Sequence, residues 1–268
     1  METFALKLVL TPALIGAASL AGRRWGPAVS GWLVGLPFTS APIAFFLALN
    51  QGTSFAATAA AGTMGGTISQ AAFCVIYAWL AARGGWLLAV AVGSVAFAIS
   101  TVALDRLALS LLPLLVAAIA TLVVALRIMP RRSPDRRPIT TAPPRWDLPA
   151  RMLVATAFVL VLTGVAPSLG ARLTGLLAPF PLYAAVLAGF AHHAHGPSAA
   201  TRVLSGVLLG LFAFVGFFFV LAVLIDRRGI VIAFAAAIVV ALTLHAGSLW
   251  ALRRDGFPRA PGMAPDAH

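Results

Sequence analysis

Two short elements hold the residues with the most chemical content. The first reads Gly35-Leu36-Pro37-Phe38-Thr39-Ser40-Ala41-Pro42, the second Gly175-Leu176-Leu177-Ala178-Pro179-Phe180-Pro181. Each sets two prolines close together inside a long apolar run. A proline ring removes a backbone donor and clashes with the preceding turn. In hydrocarbon the carbonyls so freed must find other partners. A helix broken in this way can offer backbone groups to a polar ligand, and matched breaks in two halves of a chain point to a transporter's binding site. Proline kinks that serve only packing are the competing reading. The substrate pathway expected from these elements comprises Pro37, Phe38, Thr39, Ser40, Pro42 and Gln70, together with Pro179, Phe180, Pro181 and Tyr183. Interhelical hydrogen bonding accounts equally well for Gln70, for Ser69 and Thr67 beside it, and for Tyr183.

Other reactive groups are sparse. No Asp or Glu lies in the middle of an apolar run; Asp105 and Asp226 stand at run ends beside Arg106 and Arg227. Proton-coupled carriers often use buried carboxylates, so this distribution argues against carboxylate-coupled pumping. Asn50-Gln51 and His192-His193-x-His195 occupy equivalent ends of two runs. Three histidines with no nearby Cys or acid make a thin ligand set, and polar capping is the favoured reading over metal binding. His245 is the histidine embedded in a span, read as a packing residue ahead of a titratable switch. Cys74 alone cannot form an internal disulfide. The motifs GxGxxG, GK[ST], GxSxG and HExxH are absent, and the connections are mostly too short to build a site. The chain is therefore expected to be neither an enzyme nor a holder of any cofactor or metal.

The elements that must position these residues are apolar helices. Of 268 residues, 61% are hydrophobic and 10% charged, against about 25% charged in soluble domains. Several runs approach the roughly 20 residues that cross a bilayer as a helix. Alternation of the kind that marks barrel strands is missing. The fold class expected is an all-α, polytopic transmembrane bundle. Nine helices are predicted, near 3–21, 28–50, 54–82, 85–104, 107–129, 151–166, 171–193, 198–225 and 229–252, with Gly52, Gly84-Gly85, Gly196-Pro197 and Gly229 as breakers. The amino-terminal run is read as a mature helix, since Glu2 and Lys7 cancel the charge a signal peptide needs. Residues 130–150 are rich in Pro and Arg and read as a solvated linker between two halves, 1–129 and 151–253. Residues 254–268 read as a disordered tail.

The halves resemble each other. Pro27, Leu33, Gly35 and Leu36 precede Pro37-Phe38 as Pro167, Leu173, Gly175 and Leu176 precede Pro179-Phe180. Ser54, Ala56, Gly62 and Gly66 return as Ser198, Ala200, Gly206 and Gly210, at a constant offset. Gly31/Gly35, Gly62/Gly66 and Gly206/Gly210 follow the GxxxG spacing, which lets backbones approach where lipid supplies no hydrophobic drive. Packing is their expected role, with helices 3 and 8 in mutual contact. Net charge is +12. Nearly all the arginines lie between apolar runs, so they read as topology signals and not as a nucleic-acid surface. Alternating the helices puts 14 basic residues on the linker side and 5 on the other, which makes the linker side cytoplasmic. The amino terminus is then periplasmic and the carboxyl terminus cytoplasmic. Because five helices precede the linker, the second half enters from the opposite face, giving two inverted pseudo-repeats. One helix fewer would make the repeats parallel.

The run Leu173-Thr174-Gly175-Leu176-Leu177-Ala178-Pro179-Phe180-Pro181-Leu182-Tyr183-Ala184, followed by the His-rich helix end, Ser198 and Arg202, resembles the short GlpM-type bacterial membrane proteins. Those carry Gly-Leu-x-x-x-Phe-Pro, then an apolar helix and a polar turn ending in Arg. The likeness covers the second half; in the first, Thr39 replaces the second proline of that run. The resemblance implies a fused tandem duplication in the bacterial inner membrane, and it brings no transport chemistry with it. Function is thus read as a small secondary transporter or exporter of an unknown small molecule. The alternative is a non-transporting scaffold or assembly subunit of envelope or polysaccharide machinery. The lipid bilayer is the expected partner, nucleic acid is not, and a homodimer is left open.

Overall fold

The computed structural model describes residues 9, 13, 36, 37, 39–130 and 147–254. Gly31, Gly35, Phe38, nearly all of the first expected helix, most of the linker and the tail beyond 254 lie outside the described residues. Seven helices are described: α1 (Ser40–Gln51), α2 (Thr53–Leu80), α3 (Trp86–Leu107), α4 (Leu111–Ile128), α5 (Asp147–Leu177), α6 (Leu182–His195) and α7 (Pro197–Arg254). Gly170 (φ 77°, ψ 162°) and Gly229 (φ 76°, ψ 174°) are non-helical, so α5 and α7 are each two helical arms joined at a kink, and the count falls below nine partly because each is numbered as one element. The predicted run 171–193 is divided instead, at residues 178–181; of the run 28–50 the structure describes a helix from Ser40 on, with Leu36, Pro37 and Thr39 non-helical before it.

Local chemistry explains these limits. Pro42 of α1, Pro113 of α4, Pro149 of α5 and Pro197 of α7 all fall in a first turn, where the missing N–H has no helical acceptor to lose. Pro167 lies inside α5, shortly before the bend at Gly170. Gly52 separates α1 from α2 with φ 91° and ψ 167°; Gly196 separates α6 from α7 with φ 81° and ψ 179°. That region is open essentially to glycine alone. In sequence, Gly196 stands to Gly52 as Ser198 stands to Ser54.

Among the described residues, five helices are long and apolar enough to cross a membrane: Thr53–Leu80, Trp86–Leu107, Leu111–Ile128, Met152–Leu177 and Pro197–Gly247. Outward-facing Val95, Ile99, Val102, Val116, Val231 and Val239 are exposed, an apolar rind that suits lipid and not water. Helix length, composition and this rind are those of a multi-pass helical membrane protein.

Four contacts order the bundle. The Thr53 hydroxyl donates to Asp226 Oδ1 at 2.9 Å, joining the start of α2 to the end of the first arm of α7. At the opposite end, the Tyr77 hydroxyl lies 3.4 Å from His192 Nδ1, just before α7 begins. Helix α2 and the first arm of α7 therefore run antiparallel. Trp79 Nε1–H donates to the Ile128 carbonyl at 3.1 Å, bringing the last turns of α2 and α4 together. Arg172 reaches the last turn of α3 at the Thr53 end.

Small residues set how closely the helices approach. A Cβ on Gly62 would fall 2.5 Å from the Arg172 carbonyl oxygen, and one on Gly66 would run into the Pro179 ring and the Leu176 carbonyl. Gly175 returns the fit, facing the Ala59 backbone. Helix α2 does pack along α7, as expected. Its glycines, however, were expected to make that contact, and the structure gives Gly62 and Gly66 to α5. The physical reason is the break after Leu177, which lets a short arm with a thin backbone lie directly on α2. Gly206 and Gly210 are part of α7, with Gly210 buried.

Candidate functional site

The two proline elements meet. Pro37 and Pro42 are buried, Thr39 is half-buried, and Ser40 is 1% exposed. The Ser40 hydroxyl donates to the Ala178 carbonyl at 3.0 Å. In an unbroken helix that carbonyl would accept from Leu182; here the Leu182 N–H donates to Phe180 at 2.7 Å. The break after Leu177 thus frees a carbonyl, and the first residue of α1 supplies its donor. Pro179 and Pro181 are buried, with Pro179 against Gly66. Gly66 stands at the middle of Thr53–Leu80, so the break at Pro179 and the start of α1 bonded to it lie near the middle of that helix's length.

From this level two short helices diverge. Helix α1 runs outward to the Thr53 end and α6 to the Tyr77 end. Their 12 and 14 residues cover about 18 and 21 Å, against a hydrocarbon core of about 30 Å. Their amino termini, the positive ends of the helix dipoles, both face the interior.

The remaining expected pathway residues divide into two groups. Phe180 packs edge-on to Phe97 at 5.3 Å and against Phe158 at 6.1 Å, anchoring the break to α3 and α5. Gln70 is 7% exposed and lies one turn beyond Gly66, on the stripe of α2 that continues to Tyr77. Tyr183 is half-buried in the first turn of α6. Phe38 is outside the described residues.

Three polar contacts join residues that no local motif connects. Tyr77 is fully buried and meets His192 both by its hydroxyl and ring to ring at 6.1 Å. The Thr101 hydroxyl donates to the Ser69 hydroxyl at 2.9 Å, tying α3 to α2. Arg172 Nη2 donates to the Leu104 carbonyl at 2.7 Å, and its Nε lies 3.6 Å from Asp105 Oδ1. Asp105 and Asp226 thus find distant partners in preference to the arginines next to them in sequence. Their positions at helix ends were the available signal; the partners, Arg172 and Thr53 on other helices, had none.

A cavity of about 320 Å³ opens beside Arg172 at the Thr53 end. Ala57, Thr58 and Ala61 of α2, Leu111 of α4, Leu176 of α5 and Ala222 of α7 form most of its wall. Among the described residues, no group of three or more His, Cys, Asp or Glu side chains converges on a point that could hold a metal ion.

No protein-family model matches the chain. No curated protein and no solved structure matches it either.

Proposed function

We propose that this protein is a small secondary transporter or exporter, with its substrate path running past the facing breaks at Pro37 and Pro179. The carrying observation is the Ser40–Ala178 contact, which joins the start of α1 to the break between α5 and α6. Interrupted helices that send their amino termini inward are the usual way for a transporter to present backbone groups to a polar substrate. The antiparallel course of α2 and the first arm of α7, whose Ser54/Ser198, Ala56/Ala200, Gly62/Gly206 and Gly66/Gly210 correspond, favours inverted pseudo-repeats. The matched glycine joints at Gly52 and Gly196 favour the same pairing. The GlpM-type resemblance, the bacterial inner membrane and a cytoplasmic linker side belong to this reading, as does the absence of enzyme chemistry.

A second reading, a non-transporting scaffold, draws on the tight seating of Pro179 on Gly66. Cysteine accessibility separates the two. With Cys74 replaced by Ala, Gln70→Cys and Tyr183→Cys are exposed to a small membrane-impermeant thiosulfonate. A carrier that opens its path gives measurable modification at both, slowed when Pro37 and Pro179 are both replaced by Ala. A scaffold with a sealed interior gives none.

A further inference from the structure

We propose that the cavity beside Arg172 binds a small amphipathic monoanion of the medium-chain carboxylate class. The inference rests on the carrier reading for naming this occupant as cargo, but not for its binding. The cavity has two chemically distinct parts. Its wall is mostly apolar, with Ala61, Leu111, Leu176 and Ala222 among the lining residues. Arg172 is the charged side chain in the lining. At about 320 Å³ the space is at the small end of ligand sites. It holds about ten water-sized groups at roughly 30 Å³ each, the bulk of a medium-chain carboxylate such as octanoate.

The guanidinium is held but not saturated. One Nη2 hydrogen goes to the Leu104 carbonyl. Nε is buried without a hydrogen bond, because Asp105 at 3.6 Å is beyond hydrogen-bond reach. Arginine carries five N–H donors in a planar fork that matches a carboxylate. Asp105 is therefore a loose counter-ion and not a bidentate partner. Nε is closed off from the cavity, so a carboxylate entering it pairs with the remaining Nη hydrogens while its tail covers the leucines. The other polar side chain in the lining, Thr58, gives its hydroxyl hydrogen to the Ser54 carbonyl at 3.2 Å. Among the described residues, no acidic side chain lines the cavity to receive a cationic ligand.

The test is equilibrium binding of radiolabelled octanoate to the purified full-length protein in lipid nanodiscs, with octanol and octylamine as competitors. Saturable binding that neither competitor displaces is expected. Arg172→Gln should weaken it about tenfold or more, the loss of a charge-assisted bond. That variant also gives up the Leu104 contact, so two others leave Arg172 in place. Asp105→Asn removes the resident counter-ion and should tighten binding about threefold or more. Ala61→Phe fills the cavity and should abolish binding. Displacement by octanol, indifference to Asp105→Asn and Ala61→Phe, or a tightly held phospholipid that octanoate cannot displace would each overturn the proposal. Binding without flux of octanoate in proteoliposomes would overturn the carrier reading and leave the site standing.

Discussion

Ser40 and Ala178 lie far apart in sequence and share a 3.0 Å hydrogen bond in a buried setting. Ala178 lies in the break before Pro179 and exposes a carbonyl; Ser40, the first residue of α1 and three residues after Pro37, presents a hydroxyl to it. Replacing Ser40 by Ala leaves the Ala178 carbonyl unpaired. A loss of about 0.6–1.5 kcal/mol is expected, the range for buried hydrogen bonds between membrane helices. Thermal unfolding of the detergent-purified variant would read it as a lowered midpoint. An unchanged midpoint would mean that the carbonyl finds another donor.

The glycine contacts make a sharper prediction. Gly62→Ala, Gly66→Ala and Gly175→Ala each drive a methyl group into backbone or a proline ring. Overpacking of this kind costs about 1–3 kcal/mol, and rigid neighbours place these sites toward the upper end. Gly164, also in α5, has nothing within 4 Å of its added Cβ. Gly164→Ala should be neutral or stabilising by about 0.5–1 kcal/mol through backbone entropy alone. Equal behaviour of Gly164 and Gly175 in a stability assay would contradict the described seat of α5 on α2.

The glycine joints should be intolerant for a different reason. Gly52 has open space around its Cβ position, yet its φ of 91° with extended ψ is a region that side chains avoid. Gly52→Ala and Gly196→Ala should each cost about 1–3 kcal/mol. Similar losses at both are expected, because both joints connect a short helix to a long one with nearly the same backbone geometry. Circular dichroism melts of the two variants, run side by side, check this.

Ala108 offers the opposite experiment. It closes α3 in the left-handed conformation, φ 46°, with its N–H on the Leu104 carbonyl at 3.3 Å. Left-handed backbone costs a residue with a Cβ about 1–2 kcal/mol, and glycine avoids most of that. Ala108→Gly should therefore raise the unfolding midpoint while leaving the Arg172–Leu104 contact in place. A lowered midpoint would show that the turn is not strained.

Much of this arrangement is legible in residue types and spacing. Apolar run lengths mark the helices, and glycine and proline mark their ends, because those residues act on the backbone where they stand. The break at Pro179, and the start of α1 just after Pro37, are visible for the same reason. Their mutual contact followed from treating the two elements as equivalent. The partners of Arg172, Asp105, Asp226 and Tyr77 were not visible. They depend on how whole helices stack, and an arginine beside an aspartate in sequence is a misleading cue at a helix end, where the two side chains diverge. Gly62 and Gly66 showed the same limit: their spacing announces close packing without saying which helix arrives.

The proposed inverted arrangement turns on the orientation of two equivalent positions. Gln51 ends α1 and His195 ends α6, each immediately before its glycine joint. In a Cys74→Ala background, Gln51→Cys and His195→Cys are to be treated separately with a membrane-impermeant maleimide, in intact cells and after permeabilisation. Inverted halves predict that one site reacts in intact cells and the other only once the membrane is opened. Reaction of both from the same side would contradict the inversion, and with it the facing-break carrier built upon it.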